Sequence, residues 1–77
     1  MIDSNEIKNI IADTVIGFDT VNLKNNQLLL DAGMDSLDHM TVLLAIEEKY
    51  DYIIPNEDVD QCLTIDGIIA CLQSQNG

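Results

Sequence analysis

Residues 36–50 read SLDHMTVLLAIEEKY, and the fold is decided there. Spaced at about 100° per residue, these side chains separate into two apolar arcs. Val42, Leu43, Ile46 and Tyr50 share one arc with His39, which is enough to face a core. Leu37, Met40 and Leu44 fall on the roughly opposite arc with Thr41 and Glu48, while Asp38, Glu47 and Lys49 lie between the two. A helix of a small bundle has to bury only one stripe. A second stripe, rimmed by acids, has the character of a surface on which a partner docks. Burial of both arcs in a central helix is the competing reading.

The flanking sequence supplies further helices. Asp3 followed by Glu6 fits a capping box with Asp in the place of Ser or Thr. Ile7, Ile10, Ile11 and Val15 then line one helical face until Gly17, so a first helix is expected at about residues 3–16. Residues 17–34 form a long connection whose Val21, Leu23, Leu28, Leu29 and Leu30 are expected to pack on the bundle. A stretch of that length without structure is uncommon, so it either holds a short helical turn near Leu28 or serves a function. Beyond Tyr50, Pro55 breaks the chain, and Asn56, Glu57 and Asp58 start a short helical turn through Asp60. Thr64 caps a last helix with Ile65, Ile68, Ile69 and Leu72 on one face. Gly67 is expected to loosen its first turn, at a cost of ~1 kcal/mol relative to Ala. With no strand pattern anywhere, the expectation is an all-α fold, a small four-helix bundle of three main helices plus one short helix, with a long first loop. Residues 1–77 read as a single domain.

Composition narrows the function. Fourteen acids face three lysines and no arginine, a net charge of −11. Such a chain repels a phosphate backbone, which excludes nucleic acid as a partner, and it attracts basic proteins. The same acidity could also do no more than keep the chain in solution. A hydrophobic share of 47% separates it from disordered acidic chains. A domain of this size buries only about 60% of its unfolded surface, which leaves little room for a substrate pocket with a full catalytic constellation. Cys62 and Cys71 are too few for a disulfide framework and have no metal-ligand spacing with His39. They read as reduced thiols of a cytoplasmic protein, in keeping with the absence of a leader pattern or an apolar run of membrane-span length. No metal is expected: a calcium loop in the register of Asp66-Gly67 would need acids where Cys62 and Gln73 stand.

The segment Gly33-Met34-Asp35-Ser36-Leu37-Asp38 sits where the long connection meets the second helix. A serine there is exposed beside the positive end of a helix dipole and flanked by acids. From the residues alone, Ser36 or Asp35 is a helix N-cap and nothing more. A catalytic reading, with Ser36 as nucleophile, His39 as base and Asp35 orienting it, lacks a G-x-S-x-G elbow and puts the histidine on the core arc. The chain is not expected to be an enzyme.

The stretch DAGMDSLDHMTVLLAIEEKYDYIIPNEDVDQCLTIDGIIACL, residues 31–72, resembles the acyl carrier protein family. The resemblance is carried by Asp35-Ser36-Leu37, by Gly33 before it, by Glu47-Glu48 and Tyr50 ending the helix, by Ile54-Pro55, and by Thr64 opening the last helix. It implies that Ser36 bears a 4′-phosphopantetheine arm, attached from coenzyme A by a phosphopantetheinyl transferase, whose thiol carries acyl groups as thioesters. It implies a docking surface of Asp35, Leu37, Asp38, Met40, Thr41, Leu44, Glu47, Glu48, Glu57 and Asp58 for acyl-loading, condensing and acyl-modifying enzymes with basic patches. It also implies an acyl-chain cavity lined by Leu43, Ile46, Ile54, Val59, Cys62 and Ile68, in a monomer that engages no membrane. Thr41 stands where fatty-acid-type carriers usually have an acid, and His39 and Met40 are also unusual. These departures point to a discrete carrier of a dedicated polyketide or other acyl-modifying pathway. A housekeeping fatty acid carrier is the alternative, and a helical interaction module without a prosthetic group is a further one. Asp35 before the serine resembles fatty-acid and polyketide carriers more than peptidyl carriers.

Overall fold

The first helix, α1, spans Ser4–Thr14, and its N-cap Asp3 accepts the Glu6 amide at 2.9 Å. The Glu6 carboxylate, expected to complete the capping box, instead accepts the Tyr50 hydroxyl at 2.7 Å and ties α1 to the end of the next helix. The second helix, α2, spans Ser36–Tyr50, the bounds read from the sequence. Asp51 closes it in the left-handed region at φ 51°, its amide donating to the Glu47 carbonyl. A 3₁₀ helix comes next at Asn56–Gln61, then α3 at Ile65–Ser74. The structure, a computed structural model, describes residues 2–74. Among the described residues it is all-helical, with no strand.

Helix α1 packs against both α2 and α3, and the 3₁₀ helix packs against α3. Ile7, Ile11, Val42, Ile46, Ile65 and Ile68 are fully enclosed where these elements meet. The apolar period of each helix thus sets its inward face. Ile10 and Leu72 join them, and Val15 and Ile69 pack at the margin.

The long connection is held by backbone bonds as well as by apolar anchors. The Leu29 amide donates to the Leu63 carbonyl at 2.9 Å, and the Asp66 amide to the Asn25 carbonyl at 3.0 Å, stitching the loop to the start of α3. A helical turn does form near Leu28, with the Ala32 amide on the Leu28 carbonyl at 3.1 Å. Leu23 and Leu29 are buried as expected; Val21, Leu28 and Leu30 are not, and Val21 is 89% exposed. The turn that carries Leu29 inward rotates its two neighbours outward. Val21 lies on a bend where the Asp19 carboxylate accepts the Val21 and Asn22 amides, a local turn that faces solvent.

Gly67 also departs from expectation. The first turn of α3 is closed by Thr64 Oγ1, which accepts the Gly67 amide at 2.9 Å. A Cβ at position 67 would collide with the Gln61 carbonyl oxygen. The glycine is what lets the end of the 3₁₀ helix lie against α3.

Candidate functional site

Gly33, at φ 108°, turns the connection into α2 with a backbone that other residues rarely adopt. Asp35 is the N-cap, its Oδ1 accepting the Asp38 amide at 2.7 Å, so the cap falls to Asp35 and not to Ser36. Ser36 is therefore the first residue of α2, and it is exposed. Among the described residues its hydroxyl has no hydrogen-bond partner. An accessible hydroxyl at the positive end of a helix is a place where a phosphate ester is electrostatically tolerated. Asp35 is exposed and Asp38 half-buried beside it, which adds negative charge for a basic partner to meet.

His39, one turn on, is only 5% exposed, and its Nε2 lies 2.8 Å from the Cys62 carbonyl oxygen. The imidazole is engaged in the interior and does not serve Ser36 as a base. The described residues hold no cluster of His, Cys, Asp and Glu able to bind a metal ion.

The outer arc of α2 is open to solvent: Leu37 is 74% exposed, Leu44 57% and Met40 52%. Thr41 lies among them, and its hydroxyl donates back to the Leu37 carbonyl at 3.0 Å. That bond occupies the hydroxyl and leaves the methyl to the surface, so the arc is more apolar than its composition indicates. Glu48 and Glu57 are exposed and Asp58 is half-buried. Glu47 differs from expectation, because its Oε2 accepts the Ile54 amide at 2.7 Å and pins the segment after α2.

Beside this arc runs a groove of about 230 Å³, lined on α2 by Met40, Leu43, Leu44 and Glu47 and opposite by Ile53, Ile54, Asn56 and Val59. Among the described residues no Cα of α2 comes within 8 Å of a Cα of the 3₁₀ helix, which is why the space exists. Of the residues expected to line a cavity, Leu43, Ile54 and Val59 are there. Ile46, Cys62 and Ile68 have no exposed surface and belong to the core. Ile53 and Asn56 were not anticipated. The adjacency of Ile53 to Ile54 in an extended stretch, ahead of Pro55, is the signal that could have found the former; nothing in the sequence marks the latter.

The family model described as "phosphopantetheine attachment site" matches residues 5–72. The mitochondrial acyl carrier protein of Neurospora crassa is 37% identical over 75 residues, which cover 91% of this chain and 56% of that protein. The acyl carrier protein of Clostridium acetobutylicum is 31% identical over 65 residues, 83% of each chain. That of Campylobacter lari is 25% identical over 69 residues, 90% of each. The chain thus spans little more than half of the fungal relative and most of the two bacterial ones.

Proposed function

This chain belongs to the acyl carrier protein family, and we propose that Ser36 is the residue that bears its 4′-phosphopantetheine. Members of this family are carriers and not enzymes; the prosthetic group supplies a thiol on which acyl groups travel as thioesters. The observation that carries Ser36 is its exposed hydroxyl at the first residue of α2, without a hydrogen-bond partner among the described residues. In the attachment, Ser36 Oγ loses its proton and gains a bond to phosphorus, and the adenosine bisphosphate half of coenzyme A departs. Asp35 and Asp38 present the serine to basic groups on the transferase. Incubation with a broad-specificity transferase and coenzyme A should add one phosphopantetheinyl mass to wild type. A gain that survives in Ser36→Ala defeats the assignment.

The groove is read as the place where a bound acyl chain shelters, on the strength of its Leu43, Ile54 and Val59 walls and of Met40, which lines it one turn along α2 from Ser36. Leu37, Met40 and Leu44 are read as the docking face for loading, condensing and acyl-modifying enzymes. We further place the carrier in a dedicated polyketide or other acyl-modifying pathway. What supports this is Thr41, which offers a methyl where a basic partner patch would seek a charge. A fatty-acid condensing enzyme should then use loaded Thr41→Glu clearly faster than loaded wild type; equal and efficient use of both returns the carrier to housekeeping synthesis. Residues 1–77 are taken as one carrier domain acting as a monomer. Cytoplasmic residence is the reading from two thiols outside any disulfide. The mitochondrial relative makes a mitochondrial location the alternative, which fractionation of the host cell decides.

A further inference from the structure

We propose that His39 is a positioning residue that latches the far wall of the groove and so limits the length of acyl chain the groove admits. The proposal rests on the reading of the groove as the acyl shelter. The far wall is the segment from Ile53 through the 3₁₀ helix, and the backbone of the 3₁₀ helix stands clear of α2. Two side chains of α2 reach across to backbone groups on that side. Glu47 holds the Ile54 amide at 2.7 Å, at the end away from Ser36. His39 holds the Cys62 carbonyl at 2.8 Å, at the end nearer Ser36. The Cys62 amide in turn donates to the Val59 carbonyl at 3.0 Å. Fixing Cys62 therefore fixes Val59, which lines the groove.

His39 stands alone among the described residues as a buried polar or charged side chain. An apolar residue at this place on the core arc would satisfy packing at less cost, since burying a polar group is unfavourable unless it is bonded. The bond to Cys62 is what the imidazole adds. A carbonyl only accepts, so Nε2 must carry the proton, and the neutral ring is the Nε2–H tautomer. A groove of about 230 Å³ lies below the roughly 300–1,000 Å³ of pockets that enclose larger ligands, and suits a short acyl chain. A longer chain enters only if the wall swings out, which breaks the His39 bond and leaves two buried polar groups unpaired.

The test uses the full chain as wild type, His39→Leu and His39→Gln, each loaded from butyryl- or decanoyl-coenzyme A by a broad-specificity transferase. The rate of thioester cleavage by hydroxylamine is compared with that of the free acyl-pantetheine. Wild type should protect butyryl and leave decanoyl cleaved at close to the free rate. His39→Leu should protect decanoyl roughly five- to tenfold better than wild type, the scale of one buried hydrogen bond. His39→Gln keeps a donor at the same reach and should match wild type. Full decanoyl protection in wild type, equal decanoyl cleavage in wild type and His39→Leu, or a Gln variant that behaves like Leu, each overturns the latch and leaves the groove reading standing. No protection of either chain in any variant overturns the groove reading, and the latch with it. Nitrogen-15 spectra of the unloaded wild type decide independently of how the variants fold. A protonated Nε2 is expected, and a ring protonated only at Nδ1 rules the latch out.

Discussion

Helices α1 and α2 begin with the same two residues. Asp3-Ser4 and Asp35-Ser36 each place an Asp N-cap before a serine in the first helical position, and the caps close at 2.9 and 2.7 Å on the amide three residues on. Past that first turn the two helices diverge. Helix α1 has a single buried stripe, and Asn5 and Asn9 on its other side are exposed. Helix α2 buries one arc and exposes another of Leu37, Met40 and Leu44 beside a groove. An Asp-Ser at a helix start is thus a capping device that any helix can use. Its reading as an attachment site rests on the exposure of Ser36, where Ser4 is half-buried, and on the surface around it.

The sharpest way to break this comparison is to remove each serine in turn. Ser36→Ala should abolish the phosphopantetheinyl mass gain completely, and Ser4→Ala should leave it intact; a gain that depends on Ser4 would invert the assignment of the two helices. Next in size is the contrast between an inner and an outer side chain. Ile11→Ala on the α1 stripe should cost about 2–5 kcal/mol in urea unfolding. Leu37→Ala on the outer arc should stay within about 0.5 kcal/mol while slowing transfer to a partner enzyme.

Gly67→Ala tests whether α3 tolerates what α1 would. Propensity alone predicts a gain of ~1 kcal/mol. The collision with the Gln61 carbonyl predicts instead a loss of about 1–3 kcal/mol, read from the denaturation midpoint. Asp3→Ala and Asp35→Ala should each cost ~1 kcal/mol. Near-equal losses would mean that the two caps are equivalent, as their geometry implies.

The smallest effect lies at high pH, at the link between the two helices. Burial, with the Glu6 carboxylate adding to it, pushes the Tyr50 hydroxyl from 10.0 up to about 12. The fold therefore favours the neutral phenol. That contribution is whole below pH 10 and is lost as the pH climbs towards about 12. Burial likewise pushes the Cys62 thiol from 9.0 up to about 12, with smaller contributions from Cys71 and Asp58, so its own loss begins earlier. Melting temperature should fall across this range, and Tyr50→Phe should make the upper part of the fall shallower.

Much of the fold was legible because the signals are local. Caps at Asp3 and Thr64, the Pro55 break and the bounds of α2 each depend on residues within a turn of one another, and the two arcs come from helical spacing alone. The site was legible in part. The outer arc lies on one element, so spacing sufficed, whereas Ser36 was singled out by the family resemblance and not by spacing. The groove lies between two elements, and its width depends on how far apart their backbones come to rest. That distance has no sequence period. For the same reason Glu47 read as a surface acid although it reaches the Ile54 amide, and Gly67 read as a weakness although the Gln61 carbonyl requires it. Val21, Leu28 and Leu30 looked like anchors on hydrophobicity, but a tight turn admits only every other side chain to the core.

Both cysteines are buried and outside any disulfide, and Cys62 holds its proton well past neutral pH. A thiolate is the attacking form of cysteine, so a buried, protonated thiol is a poor nucleophile. A carrier whose cargo hangs from sulfur is exposed to trans-thioesterification by any competing sulfur on its own surface. With its two thiols withdrawn, the chain offers the acyl group no internal acceptor. Transfer is left to the active-site nucleophile of the next enzyme, and a thiol-reactive label applied to the folded, holo protein should mark the prosthetic arm well ahead of the polypeptide.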